Sequence, residues 1–121
     1  MIAHVVLFQP RGDVDDRTRA LFLESVAGAA SEIPSIRRFR IGRRLLHGLP
    51  GYEQAMTAHY GYAAIIEFDD ARGLTEYLQH PAHAVVGDLF STAAERALAY
   101  DFDLTDATDP TLAEPSVRHP G

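Results

Sequence analysis

The chain opens on Ile2 to Phe8, an apolar run interrupted only by His4 and short enough to be a strand buried on both faces. Gln9-Pro10-Arg11-Gly12 has the composition of a turn. Asp13, Asp15 and Asp16 offer a cap and N-terminal negative charge for a helix reaching about Glu32. Phe22, Val26, Ala29 and Ile33 form its apolar stripe, and Pro34 closes it. Ile36 to Leu45 and Tyr60 to Phe68 read as the second and third strands. Between them, Gly48 to Ala58 predicts a mobile loop. Ala71 to Gln79 is a short helix, and Pro81 to about Ala97 a second one carrying Val85, Leu89, Ala93 and Ala97 at helical spacing. Ala99 to Leu104 completes the set as a fourth strand. From Thr105 to Gly121 there are three prolines and no period, which predicts a disordered tail after a single domain over residues 1–104.

The resulting order, β-α-β-β-α-β, predicts an α+β fold of the ferredoxin-like kind: a four-stranded antiparallel sheet with its helices on one face. The strand patterns add a constraint. Ile2, Val6 and Phe8 lie on one side of the first strand, yet Ala3, Val5 and Leu7 on the other are apolar too. The third strand repeats this, with Tyr62, Ala64, Ile66 and Phe68 against Ala63 and Ile65. Helices cover only one face, so the pattern predicts a homodimer packed sheet against sheet. Arg37, Arg38, Arg40, Arg43 and Arg44 make the second strand basic, which suits a guarded sheet edge. They also leave open a site for an anion such as a carboxylate or a carrier's phosphate.

Composition narrows the chemistry. The 121 residues carry a net charge of -6, which argues against nucleic acid as a partner. No apolar run approaches the ~20 residues of a membrane span. Met1 leads directly into the first strand without the basic flank of a signal peptide, so the cytoplasm is the expected location. Cysteine is absent, which removes thiolate catalysis and disulfides. All eleven basic residues are arginine, which removes lysine Schiff bases and lysine-anchored pyridoxal phosphate. Arginine in place of lysine, beside abundant alanine, fits a GC-rich bacterial genome. No phosphate-binding glycine loop and no serine nucleophile elbow occurs. Cofactor-free acid/base work by His, Tyr, Asp and Glu is what remains.

Candidates for that work cluster in Tyr77-Leu78-Gln79-His80-Pro81-Ala82-His83. Pro81 pushes His80 out of the helical region and suits the first position of a new helix. His83 then falls in that helix's first turn, where the N-terminal partial charge disfavours a second proton on its ring. A neutral imidazole near a phenol is a plausible acid/base pair. His83 and Tyr77 also fit bland roles, a capping histidine and a half-buried aromatic. His80, at the break, suits a structural cap. His4 shares a strand face with Ile2, Val6 and Phe8, as either a bonded core residue or a cavity-lining group, and Tyr62 fits cavity lining and sheet packing equally. No metal site is expected, because no H-E-x-x-H occurs and His80 and His83 straddle a backbone break.

His4 in the opening strand, Tyr77, His80-Pro81-Ala82-His83, Gly87-Asp88 and Asp101-Phe102 at the close of the last strand together resemble the stress-responsive dimeric α/β-barrel family over residues 2–103. The string His-Pro-Ala-His, three variable residues, then Gly-Asp is most similar to the family's plant polyketide cyclase, which closes a linear tetraketide by aldol condensation. The resemblance implies a dimeric barrel with no cofactor and a poly-β-keto or similar small-molecule substrate, free or linked to coenzyme A or a carrier. It implies that His83 is the general base with Asp101 on its other ring nitrogen, and that Tyr77 stabilises the oxyanion. His4, His80 and Tyr62 would contact substrate. Other members are stress proteins without assigned activity, which leaves a non-catalytic binding dimer as the alternative. A cofactor-free oxygenase on a related fold is a weaker one. The segment around Leu46 to Ala58 and the acidic tail depart from the cyclase pattern.

Overall fold

The computed structural model describes residues 1–115. Its elements run β1 (Ile2–Pro10), α1 (Asp16–Glu32), β2 (Ile36–Arg43), β3 (Tyr62–Phe68), α2 (Ala71–Gln79), α3 (Pro81–Ala93) and β4 (Ala94–Asp103). The strands form one antiparallel sheet in the order β2-β3-β1-β4. The ferredoxin-like expectation therefore holds, with the crossover helix split into α2 and α3 at His80.

Local chemistry sets the helix ends. Asp15 caps α1 by accepting from the Thr18 amide at 2.8 Å, and Asp70 caps α2 by accepting from the Gly73 amide at 2.9 Å. His80 has extended backbone, φ -73° and ψ 140°, as the residue before a proline should. It ends α2 and caps α3, accepting the Ala82 amide on Nδ1 at 3.0 Å. Gly73 sits where α2 crosses β3, and a Cβ there would lie 3.4 Å from that of Phe68.

One boundary differs from the sequence pattern. The helix expected to reach about Ala97 stops at Ala93, and β4 begins at Ala94 rather than Ala99. Two tertiary contacts decide this. The Ala93 carbonyl, which a longer helix would use internally, accepts the Arg11 amide at 2.8 Å. The long central strand β1 also needs a partner along its whole edge, and Leu98, Ala97, Arg96 and Ala94 pair with Leu7, Phe8, Gln9 and Pro10. Sheet pairing outweighs the helix propensity of an alanine-rich stretch, a weak preference per residue. Strands β2 and β3 are shorter than expected at the loop end, stopping at Arg43 and starting at Tyr62.

The segment between β2 and β3, where Gly48 to Ala58 was expected to be a mobile loop, is organised by specific bonds. Gly48 and Gly51 take positive φ, Glu53–Ala55 makes a 3-10 turn, and Glu53 accepts the Gly48 amide at 2.7 Å. Arg96 of β4 donates to the His59 carbonyl and stacks over Tyr60. Thr105–Gly121 carried the expectation of a disordered tail. Within it, Pro110–Ala113 forms a 3-10 turn capped by Asp109, and residues 116–121 lie outside the described residues. No helix among the described residues is long and apolar enough to cross a membrane.

The core lies between helices and sheet. Val26 and Ala29 of α1 and Ile33 just after it pack with Ile66 and Phe68 of β3, Tyr77 of α2 and Val86 of α3. Phe68 and Ile66 have 0% and 1% of their surface exposed. The sheet's opposite face is uncovered. There β3, β1 and β4 align Ile65-Val5-Tyr100 and Ala63-Leu7-Leu98 in successive rows, with Phe102 beside Ala3. Tyr100 and Phe102 are 58% and 51% exposed. The basic strand β2 is an edge, and Arg37 and Arg40 pair with Asp69 and Glu67 on its neighbour side. Phe68→Ala, which empties the centre of the core, is expected to cost ~3–5 kcal/mol in urea unfolding. A loss below ~1 kcal/mol would mean that the core closes over the gap.

Candidate active site

The inner face of the sheet is a set of rows, and one of them carries the chemistry. Register places His4 of β1 directly between Ile66 of β3 and Asp101 of β4. His4 is buried, 7% exposed, and a buried imidazole needs a partner for its N–H. Asp101 supplies it, with Nδ1 to Oδ1 2.6 Å apart. A carboxylate offers only acceptors, so Nδ1 carries the hydrogen and Nε2 is left with its lone pair. Asp101 itself sits on an edge strand with its side chain about half exposed.

Above this row the split helix delivers two more groups. Tyr77, in the last turn of α2, lies between two imidazoles: its ring is 5.7 Å from that of His4 and 4.6 Å from that of His83, edge-on to both. Phe68 closes it from below at 5.3 Å. Burial pushes the Tyr77 phenol up to about 12, so it remains a hydrogen-bond donor at neutral pH. His83, in the first turn of α3, is shifted down, chiefly by burial and then by repulsion from the His4 ring when that ring is protonated; the Leu78 carbonyl opposes this by accepting from its ring. His83 is therefore a neutral imidazole at pH 7.

His4, Tyr77 and His83 line a cavity of about 280 Å³ between sheet and helices, otherwise walled by apolar groups such as Val6, Val26, Phe39 and Ile66. A second chamber of about 310 Å³ adjoins it, with Phe8, Phe22, Ile41 and Phe90 shared between the two. Phe8, Phe22 and Phe90 pack tilted or edge-on into a cluster, with ring centroids 5.0 to 6.1 Å apart, where the chambers meet. Tyr62, stacked on Phe8 at 5.3 Å, belongs to the outer chamber, as do Arg19 and Arg43. His80 is turned to its capping bond and is not among the cavity's lining residues.

The geometry corrects one pairing. Asp101 was expected on His83; it bonds His4 instead, because the two are opposed on neighbouring strands while His83 stands across the cavity on α3. Phe90 carried no signal in the sequence. Its role depends on α3 facing Phe8 and Phe22, a long-range packing that local spacing does not encode. Among the described residues, no three His, Asp or Glu side chains converge as a metal-binding group.

The model of the stress-responsive A/B barrel domain matches residues 2–104. The chain belongs to this family. Solved structures with the same fold include a dabb family protein with a ferredoxin-like fold from Mesorhizobium loti, 24% identical, covering 87% of this chain and 97% of that one at a TM-score of 0.65. A dimeric ferredoxin-like protein of unknown function from Thermobifida fusca is 21% identical over 85% and 90% of the two chains, at 0.66. A hydroxynitrile lyase from Passiflora edulis is 12% identical over 90% and 96%, at 0.74. Identities this low establish the A/B barrel fold that the three share with this chain. Comparison with curated proteins finds no match.

For an A/B barrel with this site, pH dependence follows from His83. Its folded-state pKa lies below the ordinary 6.5, so between the two values the unfolded chain binds more protons than the native one. Stability therefore rises with pH across that window and is lost as pH falls through it. His83→Gln is expected to flatten this part of a Tm-against-pH curve. An unchanged slope would mean that burial does not hold the ring neutral.

Proposed function

We propose that the protein is a cofactor-independent enzyme of the aldolase or cyclase type, acting on a poly-β-keto or similarly acidic carbon chain. The observation that carries this reading is the Tyr77 phenol set between two imidazoles, one of them backed by a carboxylate, at the wall of an apolar cavity. A histidine removes a proton from the carbon beside a carbonyl, and the C–H electron pair becomes an enolate. Tyr77 donates its hydrogen bond to the oxygen that gains the charge. The enolate carbon then attacks a second carbonyl of the chain, and the proton returns to the alkoxide formed there. The apolar walls keep bulk water from competing for the enolate.

The resemblance of His-Pro-Ala-His and Gly-Asp to the plant polyketide cyclase supports the same chemistry. The fold is also that of a protein named as a hydroxynitrile lyase, so it accommodates an enzyme. We take the working unit to be a homodimer that buries the outer face of the sheet, since Tyr100, Phe102, Leu98 and Leu7 would otherwise form one uncovered apolar surface. Dimeric neighbours of the same fold support this. The outer chamber gives room for the unreacted part of a chain, delivered as free acid or thioester.

Two measurements test the reading. Turnover of linear β-keto acids, followed by product chromatography, is expected in the wild type and to fall by ~10²-fold or more in Tyr77→Phe, as for loss of an oxyanion donor. Equal turnover in the variant would remove Tyr77 from the reaction. No turnover and no ligand-induced rise in Tm across the series would favour a non-catalytic dimer. Separately, Ile65→Glu on the outer face is expected to convert the dimer to monomer in sedimentation velocity. A dimer that survives it would place the interface elsewhere.

A further inference from the structure

The reaction above needs one proton acceptor, and the site holds two imidazoles. We propose that His4 is that acceptor, with Asp101 as its positioning residue, and that His83 serves as a neutral hydrogen-bonding partner. The inference deepens the proton-transfer reading and rests on it.

Three observations carry it. The first is the pairing of Asp101 with His4 Nδ1 at 2.6 Å, directly across β1 and β4, which leaves Nε2 as the nitrogen free to take a proton. The second is that both imidazoles face one small cavity, where two positive rings would repel. The ring beside the carboxylate takes the charge at least cost, since Asp101 stabilises the imidazolium that forms there. The third is position. His83 stands at the N-terminus of α3, whose partial positive charge opposes protonation; burial does so too, and a proton taken up by His4 would add to both.

The remaining walls do not alter this balance. The cavity residues of α1 are Phe22 and Val26, those of β2 are Phe39 and Ile41, and β3 supplies Ala64 and Ile66. On α2 the titratable group is Tyr77, neutral at working pH. On α3, Asp88 is exposed and absent from the lining. Among the described residues Asp101 is thus the one carboxylate bonded to the site, and it lies on the side of His4. In the forward step, Nε2 of His4 takes the carbon-bound proton and becomes N–H. Tyr77 holds the enolate oxygen, and His4 gives the same proton to the alkoxide after the new C–C bond forms.

Imidazole ¹⁵N NMR of the full chain tests this assignment without a substrate. The neutral His4 ring is expected to carry its hydrogen on Nδ1, held there by Asp101. Asp101→Ala should release that preference, and Asp101→Glu should restore part of it. A hydrogen on Nε2 of the neutral His4 ring in the wild type, or a His4 tautomer unmoved by Asp101→Ala, would overturn the proposal. The wild-type tautomer decides the matter even if the variants do not fold.

Turnover of the β-keto acids supplies the second arm. His4→Gln should lose ~10²-fold or more, as for loss of a general base, and His83→Gln about tenfold, as for one hydrogen bond. Asp101→Ala should lower kcat with KM little changed, as for a residue that positions the base, and Asp101→Glu should recover part of the loss. Turnover that survives His4→Gln overturns the proposal while leaving a cyclase. A wild type without turnover overturns the cyclase reading itself, with the His4 tautomer still measured.

Discussion

A histidine buried on the inner face of a central strand must find an acceptor for its N–H, and here the register of β1 against β4 provides one. His4 and Asp101 are direct cross-strand neighbours, so their bond can form only if β4 pairs along β1 in this alignment. A slip of one residue would turn Asp101 to the outer face and bring Phe102 inward. The same register sets Ala99 and Ala97 opposite Val6 and Phe8, small residues on the inner face of β4 beside the two chambers. The polar pair and the apolar space beside it thus depend on one alignment.

The helices answer the same constraint from above. α2 and α3 would be one helix but for Pro81, and the break at His80 is what brings Tyr77 and His83 together: one from the end of a helix, the other from the start of the next. His80 serves the break rather than the site, since its ring satisfies the Ala82 amide. Tyr77 is held on three sides by His4, His83 and Phe68, which fixes its ring. A phenol so buried resists ionisation and keeps its proton available to a developing oxyanion.

Two faces of one sheet divide the labour. The inner face, covered by helices, holds the cavity; the outer face, with Val5, Leu7, Ile65, Leu98, Tyr100 and Phe102, has an association surface's composition. Because the residues alternate along each strand, Tyr100 and Phe102 flank Asp101 on β4. A change in how the outer face is packed would therefore act directly on the strand that positions the carboxylate of the site.

By itself the sequence determined the element order, the antiparallel ferredoxin-like sheet, the doubly apolar strands and the helix break at His80-Pro81. These follow from short-range physics: side-chain alternation, capping by Asp15 and Asp70, and the backbone limits of proline. The residues of the site were legible as types, with His4, Tyr77, His83 and Asp101 all standing out. Their partnerships were not. Only tertiary structure decided that Asp101 meets His4 rather than His83, that β4 starts at Ala94, and that Phe8, Phe22 and Phe90 cluster between two chambers. Each of those depends on register or packing between segments far apart in the chain. A one-residue shift in a strand reverses which side chains meet, and nothing in the local spacing near residue 83 or residue 101 carries that information.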